Sequence, residues 1–310
     1  MADIWKALNE GTNSDGGAAV PDEFSTRFLE LVTAKTVVVP DLDQIQMATD
    51  TMYIPKSTSG TTAYIVPELG TITASSQGFD RITLSPKKFA SLVEASTELL
   101  EDNNVAIATK VTSDMARDLA LKIDSEVLNG TTSTGFYGLR YTGSATNSVG
   151  ADGVVSSTAS GAVSVGAISL AIDQVLTDNH NQPDVAYFHS RVIGSLRALT
   201  DSTARPIFNA ETWGSPLLRD GVVGTVYGAV VKPTNLLPID ISLGTASTNK
   251  NLSDGIIGVK GMFGYYGMRR NPTFKRDYTI ATDREVYQVT VRSAFSVKYP
   301  DAYCLIKSIR

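Results

Sequence analysis

Between Ile107 and Val127 an apolar residue returns every four positions: Ile107, Val111, Met115, Leu119, Ile123 and Val127, backed by Ala108, Ala116 and Ala120. Lys110, Asp114, Asp118 and Lys122 occupy the other faces. This spacing predicts one long amphipathic helix. Asn103 or Asn104 would cap its start, and Gly130 would end it as a left-handed C-terminal cap. At 1.5 Å per residue it would run roughly 38 Å, and its single apolar stripe suits a helix laid along a sheet. A shorter helix is predicted behind Pro21, where Phe24, Phe28, Leu31 and Val32 share a face as far as Lys35.

Between these helices the period changes to two. Thr36 to Val39 is β-branched and predicts a strand stopped by Pro40, and Met52-Tyr-Ile54 predicts another, leading to Pro55 and the polar tip Lys56 to Gly60. The stretch AYIVPELGTITASSQGFDRITL, Ala63 to Leu84, is extended but half polar, and it returns to a strand at Phe89 to Val93. Such a ribbon has too few large apolar residues to build a core of its own. After the long helix, TTSTGFYGLRYTG reads as a turn-rich crossover, followed by small residues as far as Gly166. A helix on Ile168, Ala171, Ile172, Val175 and Leu176, a strand Val185 to Phe188 and a helix capped by Ser190 and carrying Ile193, Leu196 and Leu199 then form an α/β unit. Strands are predicted at 222–227, 229–232, 256–260, 261–269, 286–295 and 302–309, with Arg269 to Asp277 as a basic connection. Gly258, Gly261, Gly264 and Gly267 predict bulged strand with close backbone approach. No repeat of 20–50 residues is visible.

The first twenty residues read as an arm. Ile4, Trp5 and Leu8 suit one face of a short helix, and linker composition follows them. A Trp so near a terminus either folds back on its own domain or docks on a neighbouring subunit.

Composition narrows the function. The 310 residues are 42% hydrophobic, enough for a sizeable core and by length alone for two domains. Net charge is -5, and the Lys/Arg runs stop at the pairs Lys87-Lys88 and Arg269-Arg270, so no face for gripping nucleic acid is apparent. Cys304 is the sole cysteine, which excludes an internal disulfide and suits a reducing compartment. The N-terminus lacks a signal-peptide pattern and no stretch is apolar enough to span a membrane, so a soluble protein made in a cytoplasm is expected.

Chemistry is sparse. His180 sits in a solvated turn, His189 ends a strand, and Cys304 lies in an alternating strand where cysteine serves as a small core residue. Metal-ligand spacing, a phosphate-binding loop and a dinucleotide fingerprint are all missing. The pairs Asp41/Asp43 and Glu98/Glu101 are ordinary for loop and helix surfaces, and the sequons at Asn129 and Asn251 carry no weight in so Ser/Thr-rich a chain. The expectation is a structural protein, not an enzyme, with no catalytic residue, cofactor or metal.

The order of parts then becomes informative: arm, short helix, long ribbon, long helix ending in Asn-Gly, crossover, compact α/β domain and return strands. With it come Gly17-Ala-Ala-Val-Pro21 before the first helix, Val66-Pro67-Glu68 in the ribbon, and Ser96-Thr-Glu98-Leu-Leu-Glu-Asp102 before the long helix. Gly135-Phe-Tyr-Gly138-Leu follows that helix, with Phe136 or Tyr137 where the family's pattern has a proline. Over nearly its whole length the chain resembles the major capsid proteins of tailed bacteriophages, of the Hong Kong ninety-seven type fold. The resemblance implies an α+β fold: an N-terminal arm (1–20), a peripheral (P) domain carrying the spine helix and a β-sheet (21–51, 91–137 and 251–310), an extended β-hairpin E-loop (52–90) and an axial (A) domain (138–250).

It also implies a function. The chain would self-assemble as pentamers and hexamers into an icosahedral shell around double-stranded DNA, in the host cytoplasm, and end in the virion. Partners implied are further copies of itself, a portal protein, a separate scaffold protein, a decoration protein, and DNA packaged without sequence recognition; no membrane is involved. The ribbon would be covered by the neighbouring subunit, with Trp5, Lys56, Tyr64, Glu68, Arg81 and Lys87 as interface candidates. Some members cross-link Lys to Asn between subunits, but Lys56, Lys87 and Lys88 match no cross-linking position, so none is expected. Rival readings are an encapsulin compartment of the same fold, a hydrolase or transferase using Cys304 and His189, and a tail or surface-layer protein.

Overall fold

The computed structural model describes residues 36–97, 106–131, 135–154, 161–179, 181–200, 203–210, 222–239, 241 and 252–310. The expected arm, the helix behind Pro21, the caps Asn103 and Asn104, and His180 lie outside them. Strands β1 (Asp43–Gln46), β2 (Met52–Ser59), β3 (Gly78–Leu84) and β4 (Lys87–Ser96) precede the long helix α1 (Ala106–Asn129). Helix α2 (Leu139–Thr146), β5 (Ser148–Gly150), α3 (Val165–Asn179), β6 (Val185–Phe188) and α4 (Ile193–Arg197) follow. The chain continues through β7 (Phe208–Ala210), β8 (Gly224–Val226), β9 (Ala229–Pro233), β10 (Ser253–Gly258), β11 (Gly264–Thr279), β12 (Arg284–Val297) and β13 (Tyr303–Ile309).

The chain divides into two compact units, a smaller one from segments 88–120 and 270–291 and a larger one from 36–87, 121–269 and 292–310. The larger holds a seven-stranded mixed sheet in the order β5-β13-β10-β6-β9-β8-β7. Of its middle strands β10 and β6 are buried from end to end, β6 as an apolar run and β10 with Ser253 and Asp254 buried alongside Ile256 and Ile257. Ala167, Ile168, Ala171, Ile172 and Val175 line one face of α3 and join Val149, Phe188, Leu196, Val231 and Cys304 in the main core. In the smaller unit the polar ends of β11 and β12 pair as a hairpin, held by Arg276 to Glu285 and by Phe274 against Tyr287, with ring centroids 5.9 Å apart. Those cross-strand partners explain why Arg269 to Asp277, expected as a connection, is strand.

A second departure lies at residues 36–39, expected as a strand. Instead Val39–Asp41 forms a 3-10 turn with Pro40 in its first positions. The cause is Asp124 on α1. Its carboxylate accepts from the backbone N–H of Val37 at 2.5 Å and of Val38 and Val39 at 3.4 Å, which bends the chain out of an extended course. Burial pushes the Asp124 carboxyl up to about 6, against the pull of those three donors. Asp41 behaves oppositely. Burial would raise it too, but Lys232 at 2.6 Å, the donating Tyr187 hydroxyl at 2.5 Å and Lys260 at 3.0 Å hold it below the ordinary range. Its carbonyl also accepts from Gly261 N–H at 2.8 Å, so one residue joins the turn to β6, β9 and the β10–β11 connection.

Gly130 ends α1 as expected, with its N–H donating to the Glu126 carbonyl at 2.9 Å, but it is not left-handed. Among the described residues the left-handed glycines are Gly153, Gly228 and Gly261. Gly130 is needed for space: a β-carbon there would meet the Glu126 carbonyl oxygen and lie 2.5 Å from that of Phe136. The chain doubles back on it, and Gly138 donates to the Gly130 carbonyl at 2.9 Å before α2 begins. The supposed crossover thus contains a helix, and β5 follows it within the small-residue stretch. The predicted cap at Ser190 moves one residue, since the His189 imidazole accepts from Arg191 N–H at 3.0 Å and starts a 3-10 turn. Close approach at Gly258, Gly264 and Gly267 matches the expectation; the one bulge in β10 sits at Ser253/Gly255 instead.

Two expectations follow. A β-carbon at Gly138 would lie 2.5 Å from the backbone nitrogen of Gly130, whereas one at Gly267 would meet side-chain atoms, the Met47 sulfur at 2.7 Å and Leu84 Cδ1 at 3.4 Å. Gly138→Ala should cost about 3 kcal/mol and Gly267→Ala about 1 kcal/mol in urea unfolding, and equal costs would refute the distinction. For Asp124, the folded chain holds its proton between about pH 4 and 6 while the unfolded chain does not. The group therefore stabilises the fold below about pH 4, and that contribution fades as pH rises through 6, by up to about 3 kcal/mol. Asp124→Asn should remove this slope from unfolding free energies measured between pH 4 and 7; an unchanged slope would show that another group carries it.

Candidate assembly interface

Strands β2 and β3 form an antiparallel ribbon in the larger unit, pairing Met52 with Leu84, Ile54 with Ile82, Lys56 with Asp80 and Ser57 with Phe79. Pro55 sits inside β2, so the strand runs further than Ile54. A proline is tolerated there because a two-stranded ribbon has an outer edge on each strand. At its root the ribbon is amphipathic. Met52 and Ile54 turn inward against a small cluster of Met47, Leu84, Ala294 and Tyr265, while Tyr53 turns outward. Pins reinforce the root: Lys298 pairs with Asp43 at 3.0 Å and lies over the Tyr265 ring, and Asp50 stands 3.3 Å from Arg292.

Beyond Ser59 the ladder stops, and residues 60–77 continue without strand pairing. Hydroxyls replace it. Ser59 Oγ accepts from Gly78 N–H at 2.9 Å, Ser57 Oγ from the Gln77 amide at 2.9 Å, and Ser75 Oγ from Thr62 N–H at 3.2 Å. At the far end Gly70 N–H donates to the Pro67 carbonyl at 2.9 Å, closing a turn with Leu69 in the left-handed region at φ 68°. Ile65, Leu69, Ile72 and Phe79 are largely or wholly exposed, joined by Tyr53 and Tyr64. An apolar set this dense on one extension is what an interaction surface presents.

The interface candidates separate on this geometry. Tyr64 and Glu68 are exposed on the unpaired segment. Lys56 is engaged at home, its ammonium 5.0 Å from the centre of the Tyr299 ring, and Arg81 lies 4.6 Å over Tyr53 across the ribbon. Lys87 is half-buried where β4 begins, and Trp5 lies outside the described residues. The sequence reading passed over Ile65, Leu69, Ile72 and Phe79. Their signal was present as isolated large apolar residues in a Thr/Ser-rich stretch with no period that would bury them.

The catalytic rival fails on sheet geometry. Cys304 pairs with Ile257, which pairs with Ala186, and His189 lies three residues beyond Ala186. Two strand spacings and three residues of rise separate the pair by roughly 14 Å. Cys304 is buried, and burial, with Arg191 adding to it, holds His189 below its ordinary pKa. Among the described residues no three His, Cys, Asp or Glu side chains gather as a metal site, and no helix is long and apolar enough to cross a membrane.

Comparison with known proteins agrees with the architecture. No curated protein sequence matches the chain. Among solved structures it is similar to "Capsid of empty GTA particle computed with C5 symmetry", at 14% identity over 98% of this chain and 100% of that one, with a TM-score of 0.68. It is also similar to a chain of Microbacterium phage Oxtober96, at 16% identity over 88% and 90% of the two chains, TM-score 0.66. A chain of Mycobacterium phage Adephagia gives 16% identity over 88% and 89%, TM-score 0.63. At these identities the likeness establishes a shared fold, the α+β capsid fold expected above. A scan against protein families matches residues 16–308 to the Phage capsid family. With nearly its whole length inside that match, the chain belongs to the Phage capsid family and is a structural protein of the capsid shell, not an enzyme.

Proposed function

We propose that this chain is the major capsid protein of a tailed virus, forming pentamers and hexamers that close into an icosahedral shell around double-stranded DNA. The observation that carries the reading is the ribbon: residues 60–77 hold large apolar side chains in the open, next to a well-filled core elsewhere. Covering that segment with a second copy turns exposed surface into cohesion, repeated at every subunit of a closed lattice. A net charge of -5 suits a container filled by force better than a surface that grips DNA.

Within this reading residues 52–90 act as the E-loop, 138–250 as the axial domain, 21–51, 91–137 and 251–310 as the peripheral domain, and 1–20 as an arm. Strands β10 and β13 return to the seven-stranded sheet, so the axial segment shares its core with the end of the chain. Tyr64 and Glu68 face the neighbouring subunit, as does Trp5 on an arm laid over it. Lys56 and Arg81 contribute chiefly by holding the ribbon's course, and Lys87 faces the neighbouring subunit where β4 begins. Partners are a portal protein, a separate scaffold protein, a decoration protein and packaged DNA bound without sequence recognition, with assembly in the host cytoplasm.

Expression of the chain with the neighbouring head genes of its genome, followed by negative-stain microscopy and light scattering, tests the proposal. Closed shells of phage-head size are expected, built from subunits that run as a single monomer band after boiling in denaturant. Small, portal-less shells loaded with an enzyme would favour an encapsulin, and tubes or flat lattices a tail or surface-layer protein. Replacing residues 61–77 by a short Gly/Ser link should abolish shells while leaving the unfolding transition of the subunit intact, and shells from that variant would overturn the ribbon's role.

A further inference from the structure

The turn at the ribbon's end carries a contradiction. A left-handed backbone suits glycine, and Gly70 stands beside it, yet the left-handed residue is Leu69. Gly70 has a separate duty, because a β-carbon there would meet Val66 Cγ1 at 2.5 Å. The turn thus uses its glycine for space and leaves a bulky residue strained and wholly exposed. Folding gains nothing from such an arrangement, and strain held in the open points to a task outside the subunit.

We infer that Leu69 is an anchor, held out by this turn to insert against the outward face of β4 on a second copy of the chain. The inference rests on the capsid reading and names the contact within it. Glu68, next to Leu69, is the sole charge between Lys56 and Asp80, so the receiving surface should offer one uncommitted cation beside an exposed apolar side chain. On β4 the residues alternate, and Lys88, Ala90 and Leu92 share the exposed face, with Leu92 more than half exposed. Lys88 makes no ion pair among the described residues. Near three other exposed apolar sites the cation is committed: Arg140 beside Tyr141 to Asp254, Lys122 beside Leu121 to Glu126, and Arg276 beside Tyr278 to Glu285. Leu69 against Leu92 with Glu68 against Lys88 satisfies both demands at once.

Leu69→Gly separates this role from a structural one. It relieves the left-handed strain and removes only the anchor. The isolated subunit should unfold at the same or a higher temperature, while the concentration needed for shell assembly rises on the order of tenfold or more. Assembly of Leu69→Gly at the wild-type concentration would overturn the anchor. Failure of the wild-type chain itself to form shells with its head genes would instead count against the capsid reading. The receiving face is tested by the double variant Leu69→Cys, Leu92→Cys in shells under mild oxidation, where the buried Cys304 contributes no background. Disulfide-linked multimers on a non-reducing gel are expected, and shells that yield monomer alone would exclude β4 as the receiver.

Discussion

A carboxylate taken out of water must be answered by donors, and Asp41 organises the larger unit by collecting them. Removing a charge from solvent costs several kcal/mol unless it is paired. The answering groups come from distant stretches of sequence: Tyr187 on β6, Lys232 on β9 and Lys260 after β10. Satisfying one side chain therefore fixes four segments together. Asp41 lies two residues before β1, and β1 leads through a short turn into the ribbon. The root of the ribbon takes its position from that buried charge, and Asp124 fixes the chain just upstream by capturing three backbone donors.

Such dependence explains what the sequence disclosed and what it concealed. The long helix, α3, β6, β9 and the end of β12 were legible because one period dominates each and burial follows it. The turn at 39–41 was not, since its cause is a carboxylate 85 to 87 residues away from the backbone donors it captures, on another element. The polar half of β11 was hidden because its stability comes from partners across the hairpin and not from its own pattern. Gly130 showed the right residue for the wrong reason: a helix-ending glycine suggests backbone handedness, whereas here it makes room for the returning chain. The ribbon could be seen as extended and under-covered from composition alone. Which of its residues are offered outward depended on a turn whose strain no propensity predicts.

The two halves of the ribbon obey different rules. Its root is clamped by aromatic, ionic and apolar contacts within the chain: Lys56 on Tyr299, Lys298 on Tyr265, and Met52 and Ile54 against Met47. Its distal part relies on serine and threonine hydroxyls that hold a course without demanding burial. A rigid root with a sparsely bonded end suits a limb that must find slightly different surroundings in each copy of a curved lattice, because adjustment is confined to the segment with least to lose.

In the proposed shell, the near absence of charge between Lys56 and Asp80 has a consequence for how the contact responds to its medium. The proposed attachment, made by leucine, isoleucine and hydroxyl groups with a single glutamate–lysine pair among them, would depend little on ionic strength, since there is little for counterions to screen. Its grip follows temperature instead, weakening in the cold as apolar association does. On the proposed reading, a lattice joined in this way would keep its cohesion as ionic strength falls, and chilling would be the change of medium to which it is most sensitive.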